Sequence, residues 1–175
     1  MVKNHLSLFC AMNTLVENFF FPKLNRFFFI RLTVTILLLT VLFSFVLMPA
    51  FINGKSMEPT YSAIGFNFCT KLKYKFNPIK VGDVVVIRYI EKKFFLKRVV
   101  ALAGDVVEFR NGTLWVNGFP KSEPYIKDNK CDWNLPPRRV QENHIYVIGD
   151  NRTMPINQHQ FGQVAINRVI GGVLW

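Results

Sequence analysis

The hydrophobic positions of the chain fall into two regimes. From Leu32 to Ile52 the sequence reads LTVTILLLTVLFSFVLMPAFI, with no charge anywhere in the run. At a helical rise of about 1.5 Å per residue this run covers a hydrocarbon core of roughly 30 Å, so it predicts a transmembrane helix over 32–52. Its Thr and Ser hydroxyls are accommodated by bonding carbonyls of the same helix. The run is longer than the roughly 7–15-residue core of a cleaved signal peptide, and no small-x-small site follows it. Beyond Asn53 the pattern turns to short β-branched and aromatic runs between Gly-Asp and Asn-Gly turns.

Those runs predict strands. Gly82-Asp83 opens Val84-Val85-Val86-Ile87, and Phe94-Phe95-Leu96 leads into Arg98-Val99-Val100-Ala101-Leu102. Gly104-Asp105 precedes Val106, Val107 and Phe109, and Asn111-Gly112 is a hairpin signal before Thr113-Leu114-Trp115-Val116. His144 to Ile148 forms a further strand, closed by Gly149-Asp150. The fold class expected is mostly β: an antiparallel, barrel-like domain over 53–175 preceded by one transmembrane helix. Residues 119–140, richer in Pro and charge, read as a loop excursion. Residues 1–31 form an N-terminal segment in which Phe19, Phe20, Phe21, Phe27, Phe28 and Phe29 are placed to touch a membrane interface.

Charge sets the orientation. Lys23, Arg26 and Arg31 precede the span closely and only Lys55 follows it closely, which puts the N-terminus inside and the β domain on the outer side of a cell membrane. From Asn53 onward there are 18 Lys and Arg against 10 Asp and Glu. No helix-turn-helix or zinc-finger spacing accompanies that excess, so nucleic acid is not the expected partner; anionic lipid headgroups are. Cys69 and Cys131 both fall on the outer side and are open to one disulfide or two buried thiols, while Cys10 falls inside. His5, His144 and His159 are scattered and make no metal cluster, and no cofactor motif occurs.

Ser56 lies in Gly54-Lys55-Ser56-Met57-Glu58-Pro59-Thr60, a turn just after the span. A serine hydroxyl attacks a carbonyl only when a base takes its proton. Neither His144 nor His159 has an adjacent acid in sequence, and His5 is on the other side of the membrane. A lysine serves if desolvation lowers its pKa from about 10.4. Lys97 has an apolar setting, Phe94-Phe95-Leu96 before it and Val99-Val100 after Arg98. On a strand its side chain faces opposite to that of Arg98.

These segments resemble the conserved boxes of the type I signal peptidases, a serine–lysine protease family. Ser56-Met57-x-Pro59-Thr60 resembles the nucleophile box and Gly82-Asp83-Val84-Val85-Val86 the strand box. Lys97-Arg98-Val99-Val100, with Gly104-Asp105, resembles the general-base box, and Gly149-Asp150-Asn151-Arg152 the last box. The resemblance covers about Gly54 to Gly171. It implies a membrane-bound serine endopeptidase with Ser56 as nucleophile and Lys97 as general base. Its partners are precursor proteins with N-terminal signal peptides, cut after small residues at the first and third positions, and it needs no obligate protein partner.

It further implies that Ser56 N–H is an oxyanion donor, that Met57 lines the groove, and that Arg98, Asp150, Asn151 and Arg152 are structural supports. Gly54 stands where many members carry a serine whose hydroxyl is a second oxyanion donor, so Gly54→Ser is expected to keep or raise activity. After Arg152 the chain departs from the family pattern: Pro155, Asn157 and His159 stand in place of Ser, Asp and Arg, and Gly162 is retained. A specialised pilin or conjugation-system peptidase with the same dyad is the nearest alternative function. A weakly active or non-catalytic membrane protein on this fold is another, and a self-cleaving repressor lacks its DNA-binding module here.

Overall fold

The computed structural model describes residues 24–90, 93–126, 131–159 and 162–174 of the chain. The N-terminal positions His5, Cys10, Phe19 to Phe21 and Lys23 lie outside them. The chain divides into two compact units, 1–44 and 45–175.

The first unit is a helix. α1 spans Arg26–Val41, and a π-helical turn over Leu42–Val46 continues it. Asn25 caps it, its side-chain oxygen accepting from the Phe28 N–H at 2.9 Å. Thr33, Thr35 and Thr40 donate their hydroxyls to carbonyls four residues back, so these polar groups are satisfied within the helix. Arg26–Val46 is long and apolar enough to cross a membrane, and none of its side chains is buried. The helix ends at Val46, short of the expected Ile52, and residues 47–53 form a strand instead. Pro49 explains the stop: it has no N–H to donate and disfavours helical conformation at the residue before it. A partner strand satisfies the strand's backbone groups along one edge.

In the second unit that strand, β1 (Leu47–Asn53), runs antiparallel to β2 (Ile64–Thr70) along its whole length. A single-turn helix α2 (Lys73–Phe76) leads to β3 (Val84–Ile90) and β4 (Lys93–Ala101). The chain then builds a second sheet from β5 (Val106–Arg110), β6 (Thr113–Val116), β7 (Phe119–Pro120) and β8 (Leu135–Arg139). It returns to the first sheet as β9 (His144–Ile148), β10 (Gly162–Ala165) and β11 (Val169–Val173). The large sheet has the order β1-β2-β11-β3-β4-β9-β10 and the small one β7-β6-β5-β8. Every described pairing is antiparallel, but among the described residues β1 and β10 do not pair, so the sheet they form is open and not a closed barrel. β10 is only four residues long and ends in a 3-10 turn, which leaves it paired with β9.

Asn111 and Gly112 take φ of 48° and 72°, and Asn117 and Gly118 take 55° and 80°. Paired left-handed residues make the tight turns that suit the twist of a hairpin. The 119–140 excursion contains β7 and β8, so it is partly sheet: β8 pairs with β5. Alternation along β4 and β9 splits the core into two faces. Val100, Tyr146 and Ile148 pack with Val107, Phe109, Leu114 and Trp133 between the sheets. Val99, Ile145 and Val147 pack with Val85 and Ile87 on the other face.

Candidate functional site

Ser56 sits in a 3-10 turn, Lys55–Met57, directly after β1. Gly54 enters that turn with φ 144° and ψ 148°, and its N–H donates to the Ala63 carbonyl at 2.8 Å. Met57 is fully buried and anchors the turn. Asn151 reaches across from the far end of the sequence. Its N–H donates to the Ser56 carbonyl at 3.0 Å and its side-chain amide to the Lys55 carbonyl at 2.9 Å. The turn packs against β4 and opens onto a cavity of about 320 Å³. Gly54, Ser56 and Met57 line that cavity with β1 residues 48–53, Val86, Phe94, Phe95 and Leu96.

Lys97 lies opposite Val85 on β4, 3% exposed, in the face formed by Val85, Val99 and Val147. Burial pushes its pKa down from 10.5 to about 8, against the upward pull of the Asp150 carboxylate. Its side chain lines a second cavity with Ile87, Tyr89, Phe95, Val147, His159 and Arg168. Phe95 borders both cavities. No hydrogen bond joins Ser56 Oγ to Lys97 Nζ among the described residues.

Asp150 is a hub, wholly buried after β9. Arg98 donates to it twice, Nε to Oδ1 at 2.8 Å and Nη2 to Oδ2 at 2.6 Å, and also donates Nη1 to the Gly82 carbonyl at 2.9 Å. Thr60 Oγ1 donates to Asp150 Oδ2 at 2.6 Å. One carboxylate thus ties the Ser56 segment to the Lys97 strand, and Arg98 extends the link to the turn before β3. Losing one partner of a buried pair of this kind costs about 3–5 kcal/mol, because the survivor stays charged and buried. Arg152 is equally buried; Nη2 donates to Glu123 at 2.5 Å and Nε to the Gly149 carbonyl at 3.0 Å. Tyr125, two residues on, lies under the Arg98 guanidinium at 4.0 Å. Thr60, Glu123 and Tyr125 were not singled out from sequence. Thr60 belongs to the nucleophile box and so carried a signal; Glu123 and Tyr125 lie in the excursion and carried none.

The residues after Arg152 separate. Pro155 and Asn157 are exposed around a 3-10 turn, Ile156–Gln158. His159 is buried, and its Nε2 lies 2.6 Å from the Asn151 carbonyl. Burial pushes its pKa down to about 4, opposed by that hydrogen bond and assisted by the charges of Lys97 and Arg152. Cys69 and Cys131 are both free thiols, the former buried and held high, at about 11, by desolvation. No metal-holding group of His, Cys, Asp and Glu occurs among the described residues.

The family model for signal peptidase, peptidase S26, matches residues 26–175. The chain belongs to the signal peptidase family. It is thus a hydrolase, a serine endopeptidase that cleaves signal peptides. It is 34% identical over 135 residues to signal peptidase I of Bacillus caldolyticus, covering 70% of this chain and 74% of that one. To a probable signal peptidase I-1 of Synechocystis sp. it is 34% identical over 153 residues, covering 82% and 78%. A crystal structure of a signal peptidase I from Enterococcus faecalis is 26% identical with a TM-score of 0.46, covering 55% of this chain and 97% of that one.

In this signal peptidase the conformation of Gly54 reverses the expectation for Gly54→Ser. A Cβ at Gly54 meets open space, but φ 144° is a backbone state that L side chains rarely adopt. Strain of about 1–3 kcal/mol at that position is worth about tenfold or more in rate if the turn shifts to relieve it. Gly54→Ser and Gly54→Ala are therefore both expected to lose about tenfold in peptide cleavage, and equal loss in the two would show that the hydroxyl contributes nothing.

Proposed function

We propose that this peptidase cleaves its substrates by acyl transfer to Ser56 with Lys97 as general base. The observation that carries the reading is Lys97 itself, buried in an apolar face with its pKa lowered to about 8, on the strand against which the Ser56 turn packs. A neutral lysine accepts the hydroxyl proton as Oγ bonds to the scissile carbonyl carbon. The ammonium so formed returns the proton to the leaving amine, and water repeats the cycle on the acyl enzyme. The Ser56 N–H stands beside the nucleophile as an oxyanion donor. Hydrogen bonds of this kind tighten in the substrate complex, so the open geometry of the free enzyme is compatible with the dyad.

Substrate presentation follows from strand edges. Among the described residues, β1 pairs with β2 on one side only, and residues 93–97 of β4 pair only with β3, since β9 joins β4 from Arg98 onward. An extended peptide laid between these edges gains backbone hydrogen bonds and turns alternate side chains into the cavity beside Ser56. Among the described residues that cavity has no charged residue in its lining, which suits small apolar side chains such as Ala at the first and third positions before the cut. The substrates are precursor proteins with N-terminal signal peptides. The helix Arg26–Val46 anchors the enzyme in the membrane with its N-terminus inside and the β unit outside, where Lys and Arg favour anionic lipid.

Two measurements test this. Full-length protein in detergent is expected to cut a peptide with Ala at both key positions and to slow at least tenfold when either becomes Leu; indifference to that change would refute the specificity. In sealed vesicles, added protease is expected to reach the β unit from the outer side only.

A further inference from the structure

We propose that His159 is a positioning residue of this peptidase: as a neutral donor it fixes the Asn151 carbonyl, and through Asn151 it holds the backbone that presents Ser56. The inference rests on the Ser56–Lys97 reading and adds a residue to it.

His159 stands at a junction of three segments. Its Nε2 faces the Asn151 carbonyl at 2.6 Å, so Nε2 carries the proton and donates it. Asn151 in turn spends its N–H on the Ser56 carbonyl and its side-chain amide on the Lys55 carbonyl, at 3.0 and 2.9 Å. Asn151 is thus held by His159 through the peptide unit after it and holds the nucleophile turn through the peptide unit before it and through its side chain. The ring lies edge-on to Trp133, with centroids 4.8 Å apart, and its Cε1 comes within 2.7 Å of where a Cβ on Gly149 would stand. The same ring walls the cavity of about 180 Å³ that Lys97 lines.

The charged and titratable groups around it come from four places: Lys97 on β4, Arg152 on the loop after β9, Tyr89 on β3 and Arg168 on the turn after β10. Two of these cations, with burial, keep the imidazole neutral down to about pH 4. It therefore does not change charge while Lys97 titrates near 8, and it acts as a fixed donor rather than as a second base. Asn157, two residues earlier, is exposed and offers no carboxylate to balance a cation at 159. A neutral donor is the side chain this site accommodates.

Two substitutions in the full-length protein separate the hydrogen bond from the packing. His159→Phe keeps the ring against Trp133 and removes the donor; His159→Gln gives up the ring and restores a donor near the Nε2 position. The expected result is a fall in kcat of about 10–100-fold in His159→Phe with KM unchanged, and recovery of most of it in His159→Gln. In both variants the rate should still rise with an apparent pKa near that of the wild type, because neither changes the charge beside Lys97. Packing alone predicts the reverse order, with Phe tolerated and Gln impaired, and that order or equal activity in both overturns the proposal.

A second measurement needs no variant: ¹⁵N NMR of histidine-labelled wild-type protein in micelles should show His159 protonated on Nε2 from pH 6 to 9. A proton on Nδ1 overturns the proposal even if a variant fails to fold. Ser56→Ala and Lys97→Ala, assayed alongside, keep the two claims apart. Turnover in either removes the dyad itself, whereas dead dyad variants beside a fully active His159→Phe remove only the role of His159.

Discussion

Ser56→Ala is expected to abolish peptide cleavage, and Lys97→Arg to do so as completely as Lys97→Ala. Arginine keeps the positive charge but stays protonated at any working pH, so it cannot accept the hydroxyl proton. A purely electrostatic role for Lys97 predicts survival in the arginine variant; a general-base role predicts its death. The pH profile carries the same distinction. With a pKa of about 8, Lys97 is mostly protonated at pH 7, so the wild-type rate should climb about tenfold per pH unit below 8 and level off above it.

Stability should rise with pH as well, but over a higher window. Lys97 is depressed from 10.5 to about 8 in the folded state, so below pH 8 it is charged in both states and the folded state bears the full desolvation cost. That cost, about 3 kcal/mol by the size of the shift, fades as pH rises from 8 to 10.5. Lys97→Met is therefore expected to raise Tm at pH 7 and to lose that advantage near pH 11, while being inactive throughout. Cleavage by Lys97→Arg at more than a few per cent of the wild-type rate would end the serine–lysine mechanism.

The parts of the molecule that sequence made legible are those set by local rules. Asn111-Gly112 fixes a hairpin because both residues tolerate positive φ, and Ile145 to Ile148 is a short continuous apolar run of the kind that a strand buried on both faces shows; both elements occur where expected. Ser56 and Lys97 stood out because a motif and an apolar flank are visible in one stretch of chain. The end of the membrane helix was misplaced because Leu47–Ile52 is as apolar as the helix itself. Only Pro49 and the distant partner β2 decide that it is a strand. The Arg152–Glu123 pair and the stacking of Arg98 on Tyr125 join the last box and the general-base box to the excursion through long-range contacts, to which no periodicity is sensitive. The open sheet escaped for the same reason, since closure depends on which strands meet at the two ends of the order.

Gly149→Ala should be nearly as damaging as a dyad mutation, although the glycine touches no substrate. A Cβ built there runs into the Ser56 carbonyl oxygen, and lies 3.1 Å from its carbon and 2.7 Å from His159 Cε1. None of these is the loose end of a flexible side chain: two belong to backbone, and the imidazole is pinned to the Asn151 carbonyl. The methyl must therefore push the Ser56 peptide away, which strains the hydrogen bond it accepts from the Asn151 N–H and shifts both Oγ and the N–H proposed above as the oxyanion donor. A displacement near 1 Å at a nucleophile costs about 10²-fold in rate, while overpacking itself costs about 1–3 kcal/mol in stability. Gly171→Ala provides the control, because a Cβ there meets the Thr70 carbonyl and comes within 2.9 Å of Cys69 Sγ, far along the chain from the Ser56 turn. Both variants should lose comparable Tm, but only Gly149→Ala should lose about a hundredfold in kcat. Equal kcat in the two, measured on folded protein, would mean that Gly149 serves packing alone and that the carbonyl of Ser56 need not be held where Asn151 holds it.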